Sequence, residues 1–316
     1  MTADLSAGAR LPQGPSAGRR GRLVKRFLRH RLALASLVFL IAMAAAALAA
    51  PLIETALGAD AFAVDLFNRF APAGGANLLG TDEVGRDLLT RLLYGGRVSL
   101  AVGLTAALFS AVIGTVIGLA AGFHGGRLDA LLMRVTDGVI ALPILPLLIV
   151  LAAVDLTKLG IDAEAAGSES ANLIRLVLII AMVGWPTVAR LVRAETLSLK
   201  TRDYVTAARA QGATPAYIMR RHILPNSMAV VVVATTLSIG NIILLESVLS
   251  FLGLGIQPPT ASWGNMLTNA QELVWSAPHL AIWPGMMIFA TVIAFNFLGD
   301  GLQDALDPKS GDRSAG

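Results

Sequence analysis

The apolar residues of this chain are gathered into six long runs, separated by shorter polar segments. Each run is long enough to cross the hydrocarbon core of a bilayer, which takes about 20 helical residues. Only 15% of the 316 residues are charged, against about a quarter in a typical soluble domain, and the mean hydropathy is +0.69. The pattern predicts an all-α polytopic membrane protein with six transmembrane helices. The runs cover residues 32–53, 98–122, 130–154, 173–192, 227–254 and 277–298.

The runs divide the chain into four segments. Residues 1–31 are rich in Gly, Pro, Ser and Arg without apolar periodicity, and predict a disordered basic tail. Residues 32–96 hold the first span and a polar external loop with an amphipathic helix, 97–305 form a five-helix core, and 306–316 form a polar C-terminal tail. A cleaved signal peptide is the competing interpretation of the first run, but that run exceeds the roughly 7–15 apolar residues of a signal peptide.

Lysine and arginine are distributed unevenly around these runs. Most of the 25 cations lie in the N-terminal tail, in the turn at 123–134 and in the segment 190–222, whereas the loop at 256–276 has none. Cationic loops stay on the cytoplasmic side of a membrane. The distribution therefore predicts that both termini and the segment 190–222 face the cytoplasm.

Glycines and prolines inside the runs predict how the spans pack and bend. Gly114, Gly118 and Gly122 recur every four residues in the second run and form a flat strip on one helix face. Such a strip lets another helix approach closely in the membrane. Pro143 and Pro146 lie in the middle of the third run and predict a kink or an unwound segment there.

Polar residues inside the spans are the candidates for a substrate path. An ionisable group within a span needs a partner or water. Glu246 is interpreted either as lining the path, together with Asn241 and Pro143, or as the partner of a neighbouring helix. Arg134 and Asp137 lie one turn apart and predict a local ion pair. The alternative function is an ion-driven secondary transporter or channel that uses Glu246 and Asp137, although the internal repeats of that class are not evident.

The polar segment between the fourth and fifth runs, residues 201–225, predicts two short helices joined at a glycine. Thr201 is the expected N-cap of the first helix, and Gly212 suits the left-handed position after its end. Thr214 and the proline after it begin the second helix, which Pro225 is expected to stop. The arginines of this segment also suit a DNA-binding helix-turn-helix, but membrane spans on both flanks disfavour a nucleic-acid partner.

The small residues of this segment resemble the cytoplasmic EAA loop of binding-protein-dependent ABC transporter permeases. The match consists of Ala207 and Ala208, then Gly212, then Leu224 and Pro225 at the family spacing. In that family the loop docks into a groove on the ATPase subunit. The resemblance therefore implies that it couples ATP hydrolysis to transport.

The resemblance implies a coupling loop at residues 196–225, with two departures from the family pattern. Thr206 stands where glutamate is usual, and His222 stands where isoleucine is usual. The first departure leaves no carboxylate for a charge contact at that position, while the arrangement of helix, glycine and helix is kept. The coupling residues that the resemblance implies are Tyr204, Thr206, Ala207, Ala208, Gly212, Ile223, Leu224 and Pro225.

Two distant segments resemble the dipeptide, oligopeptide and nickel class of these permeases. They are residues 79–94 (LGTDEVGRDLLTRLLY) and 249–255 (LSFLGLG). The resemblance implies the C-type permease subunit of a type I importer in the bacterial inner membrane. Its partners would be a second permease subunit, two ATPase subunits and an external solute-binding protein. The ATPases would bind ATP and Mg²⁺, leaving this chain without a cofactor, and the cargo would be peptides, nickel or related small solutes.

The sequence contains no constellation of an enzyme. With no cysteines, thiolate metal sites and a cysteine nucleophile are excluded. The four histidines are far apart and none has a partner at metal-ligand spacing. The phosphate-binding Gly-x-x-x-x-Gly-Lys-Ser/Thr motif is absent. Asp300, Asp304 and Asp307 share a helix face, where a solvated helix end is favoured over a metal site. We therefore expect a non-enzymatic transport subunit.

Overall fold

A computed structural model describes residues 18–75, 77–154, 156–160, 162, 164, 167–268 and 270–306. Residues 1–17 of the N-terminal tail predicted at 1–31, and residues 307–316 of the C-terminal tail predicted at 306–316, lie outside the described residues, and Asp307 with them. In the described part of the chain the regular structure is helical, and β pairing is limited to isolated bridges. The fold class predicted from the sequence, an all-α polytopic protein, is confirmed.

The helices follow one another in chain order, and the longest connection lies between Leu57 and Leu88. We number them α1 (Gly18–Arg29), α2 (Arg31–Leu48), α3 (Ala50–Leu57), α4 (Leu88–His124), α5 (Gly126–Ala141), α6 (Ile144–Ala152), α7 (Glu169–Leu199), α8 (Asp203–Ala210), α9 (Pro215–Phe251), α10 (Ala270–Leu273) and α11 (His279–Leu306). Short 3₁₀ turns lie at Leu66–Asn68, Leu156–Leu159 and Asn265–Leu267.

Among the described residues, five helices are long and apolar enough to cross a membrane, namely α2, α4, α7, α9 and α11. Helices α5 and α6 make a sixth span if they are counted together, and they are bent by 87° relative to one another. The bend falls at Leu142 and Pro143, both in extended conformation. Proline cannot donate the backbone hydrogen bond that continues a helix. The break was predicted from Pro143 and Pro146, and it lies at Pro143.

The N-terminal part of the chain differs from its prediction in two ways. Residues 18–29 form helix α1, although disorder was predicted up to residue 31. The apolar residues Val24, Phe27 and Leu28 recur at helical spacing within the basic segment. The composition of the whole segment did not show this spacing. The first apolar run is also not one helix, because the chain leaves helical geometry at Ala49 and starts again as α3.

The predicted amphipathic helix of the external loop is the first part of α4. Helix α4 begins at Leu88, where the Asp87 carboxylate accepts a hydrogen bond from the Thr90 amide at 2.8 Å. It runs without interruption through the domain boundary expected at residue 96. The loop before it is held by Asp82, which pairs with Arg86 at 2.7 Å and Arg91 at 3.3 Å.

The glycine strip of α4 packs directly on the backbone of α7, as predicted. A methyl group built on Gly114 would lie 2.7 Å from the Trp185 carbonyl oxygen, and one on Gly118 would lie 2.6 Å from that of Ala189. These separations are shorter than any non-bonded carbon–oxygen contact. Glycine is therefore required for the two helices to meet at this distance.

Helix α5 is attached to α7 by two ion pairs. The Asp129 carboxylate accepts hydrogen bonds from two guanidinium nitrogens of Arg193, Nε and Nη2, with Nη2 at 2.6 Å from Oδ2, and Asp137 pairs with Arg190. The local pair predicted between Asp137 and Arg134 is thus replaced by a pair between helices. Sequence spacing favours the neighbour one turn away, but α7 brings a closer cation from a distant part of the chain.

Helix α9 continues through Pro225, although this proline was expected to end the second short helix of the loop. Residues Met219–Ile223 form a π turn, in which the Leu224 amide donates to the Met219 carbonyl five residues earlier. Pro225 follows directly and lies in the first turn of the α-helical part. The proline lacks an amide hydrogen, and it lies where the hydrogen-bond register of the helix changes. The short helix and the fifth span therefore form one rod.

Candidate functional site

The segment between α7 and α9 folds as two helical pieces around a glycine. Gly212 has φ = 82°, in the left-handed region that glycine tolerates best. The Thr214 hydroxyl accepts a hydrogen bond from the Tyr217 amide at 3.3 Å, which confirms the predicted cap. Thr201 is not the N-cap of α8; its hydroxyl donates to the Ser198 carbonyl at 3.0 Å, and Arg202 occupies the cap position without a side-chain bond.

One side of this segment is packed against the rest of the protein. Val205, Ile218 and Ile223 are fully buried in an apolar cluster with Leu199 at the end of α7. Leu119 and Phe123, near the end of α4, pack against the cluster, as do Ala208 and Ala213. The Lys200 ammonium also donates to the Gly122 carbonyl at 2.7 Å. These contacts make the segment one body with the adjoining ends of α4 and α7.

The other side of the segment is an open groove of about 620 Å³. We call it the loop groove. Its floor is made of small residues, and His222 lies between two tyrosine rings, with centroids 6.2 Å from Tyr204 and 5.7 Å from Tyr217. Partial burial raises the pKa of the Tyr204 phenol above its usual value, so it remains neutral. The lining residues are Tyr204, Ala207, Ala208, Gln211, Gly212, Ala213, Thr214, Tyr217 and His222.

Of the eight predicted coupling residues, the structure brings four to the loop groove. These are Tyr204, Ala207, Ala208 and Gly212, while Thr206 is exposed on α8 outside the lining. The other three belong to the rod behind the groove, where Ile223 is buried, Leu224 is half-buried and Pro225 is exposed.

The sequence-based prediction did not include five of the lining residues, namely Gln211, Ala213, Thr214, Tyr217 and His222. Tyr217 carried a signal that could have revealed it. It is an aromatic residue in a polar segment, five residues before His222.

Glu246 forms the centre of a second polar cluster in the interior of the bundle. Its side chain is fully buried, and its carboxylate accepts hydrogen bonds from Ser250 at 2.7 Å, Ser99 at 3.1 Å and Ser247 at 3.4 Å. Ser99 belongs to α4, while Ser247 and Ser250 belong to α9 with Glu246. Buried polar groups are stabilised when their hydrogen bonds are made. The carboxylate therefore ties α4 to α9.

The same serines extend the cluster to the loop after α9. The Ser99 hydroxyl accepts from the Trp263 amide at 3.2 Å, and the Ser250 hydroxyl accepts from the Ile256 amide at 3.0 Å. The Trp263 indole is fully buried and donates to the Leu92 carbonyl at 2.9 Å. Glu246 thus holds this loop on the two helices through its serine partners.

The three residues interpreted as a substrate path are not gathered in one cluster. Glu246 is buried against α4, Asn241 is exposed on α9, and Pro143 is exposed at the break between α5 and α6. The hydrogen bonds of Glu246 correspond to the second interpretation of this residue, a tie to a neighbouring helix.

Helices of membrane length, a broken span and an open groove on the loop between the fourth and fifth spans are the features of a polytopic membrane protein. Residues 114–311 match the family model described as binding-protein-dependent transport system inner membrane component. Residues 20–71 match the N-terminal transmembrane domain of oligopeptide transport permease C. The chain belongs to this family of ABC permeases, as a C-type subunit of its peptide class.

Curated relatives align over nearly the whole chain. The chain is 42% identical to the glutathione transport system permease protein of Pectobacterium atrosepticum, over 90% of this chain and 89% of the relative. It is 39% identical to the oligopeptide transport system permease protein of Escherichia coli, over 90% and 89%. It is 37% identical to the dipeptide transport system permease protein of Alkalihalophilus pseudofirmus, over 90% and 88%.

Proposed function

We propose that this chain is the membrane subunit of an ABC importer that moves di- or oligopeptides, or related small solutes, into the cytoplasm. The relatives named above are called glutathione, dipeptide and oligopeptide permeases, which favours peptides over nickel. The subunit would pair with a second permease and receive cargo from an external solute-binding protein. Two ATPase subunits would bind and hydrolyse ATP, so this chain would take no catalytic part.

The observation that carries this proposal is the two-sided construction of the segment around Gly212. Its outer side is the loop groove, which is open and floored by Ala207, Ala208 and Gly212. Its inner side is fixed to α4 and α7 by the buried cluster around Val205 and Ile223. A protein that binds in the groove can therefore move the ends of two spans without first deforming the segment.

Helix α9 offers a route from the loop groove to the far side of the bundle. It runs unbroken from Pro215 to Phe251, about 55 Å at 1.5 Å per residue. Tyr217 lies in its first turns at the groove, and Glu246 lies near its other end. A displacement imposed by the ATPase would thus reach the loop held by Glu246 as a rigid-body motion, the kind that alternates access in transporters.

The proposed orientation puts the loop groove and both termini in the cytoplasm. Two observations support it. The segment around the groove carries the cations Arg202, Arg209, Arg220 and Arg221, and such loops remain cytoplasmic. His30, just before α2, lies 3.7 Å from Asp304 near the end of α11, so the first and last spans have these ends on the same side.

The structure does not favour the ion-driven alternative. The two carboxylates that would bind a proton or an ion already have partners. Glu246 accepts three serine hydroxyls, and Asp137 is paired with Arg190. We therefore do not propose an ion site at either residue.

A charge placed in the loop groove tests the proposal. Ala207 and Ala210 are both exposed alanines of α8, but only Ala207 lines the groove. In the assembled transporter, Ala207→Glu should abolish peptide uptake and cargo-stimulated ATP hydrolysis, because the carboxylate fills the docking surface. Ala210→Glu is the matched control and should retain both. Normal coupling in Ala207→Glu would overturn the docking role, as would uptake that persists without any ATPase.

A further inference from the structure

Helix α1 precedes the first membrane span directly, and all of its charged residues are basic. Its sequence, GRRGRLVKRFLR, contains no aspartate or glutamate. A basic amphipathic helix beside a membrane span is typical of segments that lie on a membrane surface. The basic residues are Arg19, Arg20, Arg22, Lys25, Arg26 and Arg29.

The exposed side chains of α1 form two parallel ridges. Val24 and Leu28 are 57% and 52% exposed, and they lie one turn apart. Lys25 and Arg29 are also exposed, with the same spacing, at the next position along the helix. Residues four apart share one helix face. An apolar ridge and a cationic ridge therefore lie side by side over residues 24–29 of α1, and Leu32 at the start of α2 continues the exposed apolar surface.

Contacts on the inner side hold α1 in a defined place. It packs against α2 and the end of α11. His30 forms the corner, with φ = −84° and ψ = 91°, and its Nδ1 accepts a hydrogen bond from the Ala33 amide at 3.2 Å. Its Nε2 lies 3.7 Å from the Asp304 carboxylate. The two ridges are thus presented by a fixed corner of the bundle.

We propose that the two ridges of α1 bind the surface of the membrane leaflet where α2 enters, and that they select anionic lipids. Val24 and Leu28 insert among the upper acyl chains, while Lys25 and Arg29 contact lipid phosphates. Charge complementarity decides the occupant, because a helix with only positive charges matches a surface of anionic headgroups. Continuity supports it as well, since the apolar ridge leads into the exposed outer face of the spanning helix α2.

Depth measurements test where α1 lies. The chain has no cysteine, so Val24→Cys or Leu28→Cys carries a single environment-sensitive fluorophore. The full chain is reconstituted in vesicles of phosphatidylcholine, alone or mixed with phosphatidylglycerol, with bromine on the acyl chains of one lipid. Both labels should be quenched, and brominated phosphatidylglycerol should quench more than brominated phosphatidylcholine. A label at Ala210→Cys, exposed on α8 outside the membrane spans, should not be quenched.

Charge variants test the selection of anionic lipid. Each cation at a membrane surface contributes a preference of up to about fivefold. Lys25→Gln combined with Arg29→Gln should therefore lower the ratio of quenching by the two lipids severalfold, while the remaining cations of α1 keep part of the preference. Arg127→Gln, exposed at the start of α5, is the matched control and should leave the ratio unchanged.

Three outcomes would overturn the proposal. In the first, neither lipid quenches the labels at positions 24 and 28. In the second, the double variant has the same ratio of quenching by the two lipids as the unsubstituted chain, and in the third the labels are shielded from solvent only when a second permease subunit is present.

Discussion

The substitution Gly118→Ala tests the close approach of α4 and α7 at the point where the cluster behind the loop groove begins. The new methyl group would lie 2.6 Å from the Ala189 carbonyl oxygen, 2.8 Å from the Val192 Cβ and 3.0 Å from the Arg193 amide nitrogen. Two of these three atoms belong to the backbone, so a change of side-chain rotamer cannot relieve the overlap. The two helices must separate.

The expected magnitude follows from two opposing contributions. Overpacking of a well-packed interior destabilises by about 1–3 kcal/mol. The intrinsic preference of a helix for alanine over glycine offsets at most about 1 kcal/mol of this. Since the obstacle here is backbone, we expect the upper part of the range, a net loss of about 2 kcal/mol. The separation would also loosen Phe123 and Leu119 on the cluster of Val205.

The free energy of unfolding is measured by denaturant titration in mixed micelles, and peptide uptake is measured in vesicles. Gly285→Ala is the matched control, because Gly285 lies in spanning helix α11 and nothing within 4 Å would meet its methyl group. We expect a neutral or slightly stabilising effect there. Equal stabilities for the two variants, or a more stable Gly118→Ala, would refute the packing account.

Three further predictions concern single contacts. Glu246→Ala leaves the Ser99 and Ser250 hydroxyls without their acceptor, whereas the Ser247 hydroxyl keeps the Ile243 carbonyl. A loss of about 3 kcal/mol is therefore expected in the same titration, together with faster labelling of a cysteine at Trp263; unchanged labelling would contradict it. Gly212→Ala should lower the free energy of unfolding by about 1–2 kcal/mol, because alanine is strained at the left-handed φ of this position. No atom would clash with the new methyl group, so the strain is the whole effect. An unchanged stability would contradict the prediction and show that the turn relaxes. Asp129→Asn should lower stability by about 1 kcal/mol at low salt, where its part-exposed pair with Arg193 is least screened; a salt-independent loss would contradict this.

The features that were predictable from the sequence are those that local pattern determines. Six apolar runs indicated the spans, and the glycine strip ending at Gly122 indicated a close helix contact. Pro143 marked the break because proline removes a hydrogen bond wherever a helix contains it. Gly212 and Thr214 marked the turn because their conformations depend on immediate neighbours.

The features that were not predictable depend on partners distant in sequence. The partner of Asp137 is Arg190, which only the packing of α7 brings close. The partners of Glu246 include Ser99, which lies 147 residues away. Pro225 does not end the helix because a π turn before it changes the hydrogen-bond register. Local residue propensities do not predict such a turn.

The error at α1 has a different cause. A high content of glycine, proline and arginine over residues 1–31 averaged away the helical spacing of Val24, Phe27 and Leu28. Composition describes a whole window, whereas amphipathicity depends on position within it. A shorter window beginning at residue 18 would have shown the apolar stripe.

The central claim is that an ATPase subunit binds in the loop groove. Site-specific cross-linking tests it most directly, because the chain contains no native cysteine. In the assembled transporter, Ala207→Cys should form a cross-link to the ATPase with a short bifunctional reagent, and the yield should change when ATP is bound. Ala210→Cys, outside the groove on the same helix, should give little product. Equal yields at the two positions, or no ATPase captured from position 207, would contradict the account.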